Sequence, residues 1–302
     1  MQDMSVKTQF SIKDLENLSS IKAHTIRIWE KRYKLLSPER TSTNIRYYGV
    51  ESLKRLLNVN LLYKKGHKIS KIAELSNAQI QALIEEESET AQELIAIKNF
   101  KSAMFDFDAG LFHSTFEMLS ENKSFSEIFT EVFLPLLSEI GILWQTGSID
   151  PAHEHFISEL IKQKVIVSIE TLHKDFRKEH DKTFVLYLPL NEIHEIGLLY
   201  CNYEILSAGY KTIYLGNNIP LESLQYVLKH HDNIIFLSYF TVAPHGESLE
   251  AYADNFKKTI QAVKPCTLWI MGAQAKGINS TKFPEGVRTF SGISEFVTTL
   301  ET

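Results

Sequence analysis

Cysteine is scarce in this chain of 302 residues, which contains only Cys201 and Cys266. Two cysteines are too few for a disulfide framework or a thiolate zinc site, and they suit a reducing compartment. The sequence has no apolar run of about 18 residues or more, and residues 1–10 lack the apolar core of a signal peptide. We therefore expect no membrane span and no secretion, and the predicted location is cytoplasmic.

The usual motifs of catalytic sites are also missing. The chain has no Gly-x-Ser-x-Gly nucleophile elbow and no glycine-rich phosphate loop. Histidines such as His113, His230 and His231 have no partner at a spacing that indicates catalysis. These absences favour a binding or regulatory protein over an enzyme.

Charge is distributed unevenly along the chain. Residues 1–75 hold 15 Lys and Arg against 7 Asp and Glu, whereas the rest of the chain holds 17 against 30. A basic segment followed by an acidic remainder indicates that the first segment binds a polyanion, although a basic solvated surface is the alternative.

The hydrophobic pattern predicts a multidomain fold with three parts. An all-α winged helix-turn-helix is expected over residues 1–76, followed by a linker or helix over 77–100. Helical periodicity over 101–180 predicts a four-helix bundle. Alternating apolar strands and helices over 181–302 predict an α/β Rossmann-like, flavodoxin-like parallel sheet. The four predicted strands are 184–188, 212–215, 234–237 and 267–271.

The basic segment carries a specific motif. The run Thr25-Ile26-Arg27-Ile28-Trp29-Glu30-Lys31-Arg32-Tyr33, followed by Pro38, Arg40 and Arg46-Tyr47-Tyr48, resembles the MerR family of transcription regulators. The resemblance covers about residues 8–75 and implies a winged helix that works as a dimer on a double-stranded DNA operator with two half-sites.

The helix predicted over residues 22–33 would enter the major groove, where side chains reach base edges. The best base-reading candidates on it are His24, Thr25 and Arg27. Phosphate contacts set the position of a protein on DNA rather than its sequence preference. The candidates for phosphate contacts are Arg32, Arg40, Arg46 and Tyr47. Trp29 is expected to fill the domain core.

A second motif, Glu192-x-His194-x-x-Gly197, lies between a predicted strand and a predicted helix. Its imidazole would project from the carboxyl edge of a parallel sheet, where such folds bind ligands. Histidine is a good transition-metal ligand, Glu192 can accept its other ring N–H, and Gly197 leaves room for a bulky planar group.

This arrangement resembles the cobalamin-binding fold. In that family an acidic residue-x-His-x-x-Gly loop supplies the lower cobalt ligand, and a Ser-x-Leu and a Gly-Gly element flank the nucleotide tail. The resemblance makes His194 the lower ligand and places Ser238-Tyr239-Phe240 and Gly272-Ala273 at the flanking elements. Glu192 replaces the commoner Asp, and Phe240 and Ala273 also depart from the pattern.

A third motif, Trp144 followed after nine residues by Glu154-His155, resembles the upper-face motif of light-sensing, adenosylcobalamin-dependent MerR-type repressors. There the helical bundle covers the upper face of the corrinoid. The resemblance implies that Trp144 shields the adenosyl group, that Glu154 hydrogen-bonds it, and that His155 binds cobalt after light breaks the Co–C bond. The alternatives are a core role for Trp144, an exposed helix start for Glu154 and His155, and His153 as the second ligand.

Together these resemblances imply a cobalamin-dependent, light-responsive transcriptional repressor in which adenosylcobalamin controls homo-oligomerisation, as a dimer or tetramer, and operator binding. One alternative is a MerR-type regulator that keeps the fold but switches without cobalamin. Another is a corrinoid carrier protein for methyl transfer, although the basic winged helix speaks against it.

Overall fold

The computed structural model describes residues 9–301, apart from 42, 87–91, 176–179, 243, 245–246, 277 and 279. The chain divides into two compact units, residues 1–160 and 161–302. Within the described residues, no helix has both the length and the apolar character needed to cross a bilayer.

The first unit begins with a winged helix-turn-helix. A three-stranded antiparallel sheet has the order β1-β3-β2, with β1 at Gln9–Phe10, β2 at Glu39–Arg40 and β3 at Arg46–Gly49. Its helices are α1 (Ile12–Ser19), α2 (Ala23–Tyr33), α3 (Val50–Lys64) and α4 (Ile69–Ala73). The wing is the β2–β3 hairpin.

Local signals explain where these helices begin and what they bury. Ser11 and Asp14 form a reciprocal capping box at the start of α1. On α2, Ile26 and Trp29 are buried, and the Trp29 ring meets the edge of Tyr63 at a centroid distance of 5.1 Å. Trp29 is therefore a core residue, as expected, and the polar face of α2 is left to the solvent.

The rest of the first unit is helical. Its elements are α5 (Asn77–Glu86), α6 (Gln92–Asp106), α7 (Ala109–Ser120), α8 (Phe125–Ile128), a π-helical turn at Phe129–Phe133, α9 (Leu134–Gln145) and the start of α10 (Pro151–Asp175). The rings of Phe112 and Phe133 are stacked at 6.2 Å, and Phe100 packs within 5.4 Å of both. Because α8, the π turn and α9 run on without a break, the described residues after α5 form four helical segments: α6, α7, α8–α9 and α10.

The winged helix and the helical region are packed together in this unit. Phe10 meets Phe105 edge to face at 5.6 Å, and Asn17 Nδ2 donates to Ser148 Oγ at 2.9 Å. Lys54 Nζ also pairs with Asp106 Oδ2 at 2.6 Å. The first helix of the winged helix therefore touches the turn that follows α9.

The second unit is built on a five-stranded parallel sheet with the order β5-β4-β6-β7-β8. The strands are β4 (Thr183–Tyr187), β5 (Lys211–Gly216), β6 (Ile234–Tyr239), β7 (Thr267–Met271) and β8 (Val287–Thr289). The helices that alternate with these strands are α11 (Ile196–Ser207), α12 (Leu224–His230), α13 (Leu249–Phe256) and α14 (Ile293–Leu300). The predicted α/β class is confirmed, and β8 adds a strand that the sequence pattern did not predict.

Side chains from the two sheet faces form separate cores. Val185, Tyr187 and Phe236 belong to a buried cluster that includes residues of α12 and α13. On the opposite face, Trp269 packs against Phe184 and against Phe296 of α14. Both faces are covered, as a parallel sheet requires.

Candidate functional site

The Glu192–His194 pair lies in the loop between β4 and α11, at the carboxyl edge of the sheet. Glu192 is fully buried, whereas the His194 side chain is 48% exposed. Glu192 Oε1 is 2.6 Å from His194 Nδ1 and also accepts the backbone N–H groups of Ile193 and His194. A carboxylate at this distance selects the tautomer with the proton on Nδ1, so Nε2 is the nitrogen that can bind a metal.

The carboxylate is also fixed from a distant part of the chain. Glu192 Oε2 accepts the backbone N–H groups of Thr241 and Val242 at 2.8 and 2.9 Å. These residues follow β6, the neighbouring strand. The loop after β6 therefore holds Glu192, and Glu192 holds the imidazole, which gives His194 a defined orientation before any ligand arrives.

The two elements expected to flank a nucleotide tail lie next to each other at the ends of β6 and β7. Tyr239 pairs with Met271, and Phe240 N donates to Met271 O at 2.7 Å. Gly272 has φ +105°, and a Cβ at this position would be 2.2 Å from Phe240 O. Only glycine fits at 272. Ser238 is buried, whereas Ala273 is exposed at the start of a short 3₁₀ turn.

These residues fit a cobalt corrinoid by the chemistry of their donors. Within the described parts of the chain, no group of three or more His, Cys, Asp or Glu side chains is placed to hold a metal ion. A corrin ring supplies most of the ligands to its cobalt, so one side chain of the protein is enough to hold the metal. A half-exposed imidazole oriented by a buried carboxylate would provide that ligand.

Gly197 has a role that the sequence did not reveal. A Cβ on Gly197 would be 2.5 Å from Tyr239 Cζ and 2.8 Å from both Cε atoms. The Tyr239 ring fills the space beside Gly197 that was predicted from the sequence to accept a bulky planar group. The glycine is thus required by a side chain of the same sheet.

The third motif lies at the junction of α9 and α10 in the first unit. Trp144, in the last turn of α9, is 55% exposed, which excludes the alternative of an ordinary core residue. The chain turns at Gly147, whose φ is +63°, and Gly147 N donates to Trp144 O at 3.0 Å. Asp150 then starts α10 by accepting the N–H of Ala152 at 2.9 Å.

The three residues after Ala152 differ in their surroundings. His153 is buried between Phe105 and Phe107, its Nδ1 accepts the N–H of Asp150, and burial lowers its pKa. Glu154 accepts a hydrogen bond from Ser158 at 2.7 Å, and the exposed His155 lies 3.6 Å from it. Of the two histidines considered as second cobalt ligands, only His155 has an accessible imidazole, and its role stays a prediction.

The DNA-reading candidates occupy the exposed side of α2. His24 and Arg27 are exposed, and Thr25 is partly exposed. Arg32 is exposed near the end of the helix, with its guanidinium 5.4 Å from the centroid of the Tyr33 ring. These positions suit the roles predicted for them on DNA.

The wing candidates are bound to other residues of the domain. Arg46 Nε donates to Glu30 Oε1 at 3.1 Å, and Tyr48 donates to the other oxygen of Glu30. Tyr47 donates to Glu39, and Arg40 donates to the side-chain oxygen of Asn44. Arg46 therefore links the wing to α2. This ion pair was not predicted from the sequence, because Glu30 lies sixteen residues away.

Two arginines of α2 are expected to give different DNA-binding defects. Arg32→Ala should weaken binding to all duplexes alike and lower the slope of log affinity against log salt by about one, because one phosphate contact is lost. Arg27→Ala should cost about 1–3 kcal/mol on the preferred duplex and reduce sequence discrimination. Fluorescence anisotropy with specific and scrambled duplexes at several salt concentrations measures both. Identical salt slopes for Arg32→Ala and the unchanged protein would contradict the phosphate role.

Family models agree with this layout. The model of the MerR HTH family regulatory protein matches residues 10–79, and that of the B12 binding domain matches residues 96–167. The second match contains Trp144, Glu154 and His155. The protein is thus a DNA-binding transcription regulator that combines a MerR-type helix-turn-helix domain with a B12-binding domain.

The chain is homologous along nearly its whole length to two repressors of Myxococcus xanthus. The HTH-type transcriptional repressor CarH is 26% identical over 297 residues, which cover 94% of this chain and 95% of CarH. The HTH-type transcriptional repressor CarA is 23% identical over 292 residues, which cover 95% of this chain and 94% of CarA.

The fold is also similar to that of a solved protein. The monomethylamine corrinoid protein of Methanosarcina barkeri matches with a TM-score of 0.53 and 13% identity. The match covers 67% of this chain and 95% of that chain. At this identity the likeness shows the fold alone.

Proposed function

We propose that this protein is a transcriptional repressor that binds adenosylcobalamin and responds to light. The observation that carries the proposal is the Glu192–His194 pair at the carboxyl edge of the sheet, in a chain that also has a DNA-binding winged helix. The homology to two repressors supports the regulatory role. The protein acts by binding, and no chemical transformation of a substrate is assigned to it.

Each motif has a defined part in holding the cofactor. His194 Nε2 would bind the cobalt, and Glu192 would fix the tautomer and raise the basicity of the imidazole. Trp144 offers an exposed indole to the adenosyl group, and Glu154 offers a carboxylate to it. The bound cofactor supplies a cobalt–carbon bond that light can break. His155 would offer a second, accessible imidazole to the cobalt.

The cofactor controls DNA binding through assembly. Several winged helices joined in one oligomer bind an operator more tightly than one alone, because the second contact is intramolecular. Adenosylcobalamin stabilises the assembled form only by its greater affinity for that form. Without the adenosyl group this preference would be lost, and the oligomer would dissociate.

A spectrum combined with a mass measurement tests the proposal. The protein mixed with adenosylcobalamin in the dark should bind it stoichiometrically and shift its visible absorption. Size-exclusion chromatography with light scattering should then show a larger mass in the dark than after green or blue illumination. The control is the protein loaded with hydroxocobalamin, which lacks the adenosyl group. Its mass should be the same in the dark and after illumination. Equal masses for the adenosylcobalamin complex in dark and light would refute the light response.

A second function is favoured by one observation. The Tyr239 ring occupies the room beside Gly197, which suits a regulator that keeps the fold and switches without cobalamin. The same spectrum separates the two, because a protein of the second kind leaves the spectrum of the free cofactor unchanged.

A further inference from the structure

The side chain of Tyr239 lies where two parts of the candidate corrinoid site meet. Tyr239 is the last residue of β6 and points to the sheet face that carries α11. On the same face, Cys201 of α11 contacts Met271, the β7 partner of Tyr239, with the two sulfur atoms 3.4 Å apart. The ring therefore fills a groove between the start of α11 and the ends of two central strands.

The fit of the ring in this groove is close. A Cβ on Gly197 would be under 3 Å from three atoms at the far end of the ring. Burial raises the pKa of the Tyr239 phenol, with smaller contributions from Cys201 and Glu192. Nothing as large as an aromatic ring can lie against Gly197 while Tyr239 remains there.

The backbone around Tyr239 is held on both sides. Phe240 N donates to Met271 O, and the next two amides donate to Glu192 Oε2. A shift of this backbone would break the hydrogen bonds that orient His194. The ring can therefore leave the groove only by rotation of its side chain, with the strand in place.

A cobalamin bound through His194 would bring its nucleotide tail close to this groove. Because the imidazole would bind the cobalt, the base of the tail could not bind it as well. The tail would then lie against the protein beside the His194 loop, and Gly197 is three residues further along the chain, in the first turn of α11. Gly197 is also the position at which a planar group could approach the backbone.

We propose that Tyr239 determines which corrinoids bind, because its ring and the nucleotide tail compete for the groove beside Gly197. A corrinoid with a tail must displace the ring, whereas a corrinoid without a tail binds to His194 with the ring in place. This inference rests on the proposed cobalamin binding and adds a specificity-determining residue to it.

Two corrinoids that differ in the tail test the inference. Adenosylcobalamin carries the nucleotide tail, and adenosylcobinamide lacks it, so the ratio of their dissociation constants isolates the tail. In the dark, spectrophotometric titration of the full-length protein gives both constants. Tyr239→Ala should favour adenosylcobalamin over adenosylcobinamide by about tenfold or more compared with the unchanged protein. This factor is expected if the ring is out of the groove in about 10% or less of the unchanged protein, because only that fraction can bind the tail. The constant for adenosylcobinamide should change little.

Matched variants separate the ring from the hydroxyl group and from loss of folding. Tyr239→Phe keeps the ring and should keep the ratio of the unchanged protein. Tyr239→Val fills part of the space and should shift the ratio in the same direction as Tyr239→Ala, so it replaces that variant if the alanine protein does not fold. Thermal melting of each unliganded protein reports on folding.

The outcomes are distinct. An unchanged ratio in a folded Tyr239→Ala or Tyr239→Val protein, or an equal change for both corrinoids, overturns the inference and leaves the proposed function standing. Failure of the unchanged protein and of every variant to bind either corrinoid overturns both.

Discussion

His194→Ala is expected to lose more affinity for adenosylcobalamin than any other single replacement in the protein. Removal of a residue that merely orients a metal ligand costs about 10- to 100-fold, and removal of the ligand itself should cost more. With adenosylcobinamide, which has no base of its own to bind cobalt, the absorption of the corrinoid mixed with the variant should also lack the features of imidazole coordination. Titration of the variant with each corrinoid in the dark, followed by visible spectroscopy, measures both effects.

Two further variants make this experiment specific. Glu192→Gln keeps the size of the side chain but removes the charge that orients His194, so we expect an intermediate loss of about 10- to 100-fold. His230→Ala removes an exposed histidine at the end of α12 and should bind like the unchanged protein. Imidazole-type coordination that persists in His194→Ala loaded with adenosylcobinamide, which has no base of its own, would show that another residue binds the cobalt.

The winged helix was predictable because its signals are local. The start of α1 follows from Ser11, and the end of α3 from Gly66, which has a positive φ. The sequence predicted a helix over residues 22–33, and it lies at Ala23–Tyr33. Each of these signals acts within one or two helical turns, so no knowledge of the tertiary structure was needed.

The parallel sheet contains one strand that local sequence signals did not predict. Four strands carry apolar runs that can be read from the sequence, and all four are present. The fifth, β8, has three residues, including Arg288, and lies at the edge of the sheet beside β7. It is a strand because β7 supplies its hydrogen-bond partners, and this information is not in its own residues.

The candidate site also has a part that local sequence signals predicted and a part that they did not. Glu192 and His194 are two residues apart, so their spacing on a loop after a strand could be read directly. The amides of Thr241 and Val242 that hold Glu192 are about fifty residues away, as is the Tyr239 ring that fills the room beside Gly197. Only the parallel pairing of β4 with β6 brings them together. The sequence therefore indicated the ligand but not the groove beside it.

Illumination of the protein loaded with adenosylcobalamin is expected to lower its affinity for operator DNA by about 10²- to 10⁴-fold. This is the range in which linkage of binding modules raises affinity, and dissociation of the oligomer removes the linkage. The operator is first selected from random duplexes with the cofactor-loaded protein in the dark. Gel-shift titrations in the dark and after green or blue light then give the two affinities at one fixed salt concentration, because the phosphate contribution depends on salt.

Variants of the cofactor site and of the DNA-reading helix identify what lowers the affinity for the operator. His194→Ala should bind the operator weakly in both dark and light, because it does not retain the cofactor that favours assembly. Arg27→Ala should assemble in the dark like the unchanged protein but bind the operator less tightly, because only its base contact is missing. If the unchanged protein bound the operator equally in dark and light although its spectrum showed loss of the adenosyl group, cofactor-controlled assembly would not be the basis of repression. The cofactor would then have to act on the winged helix within a single chain, where Asn17 of α1 meets Ser148 in the turn after Trp144.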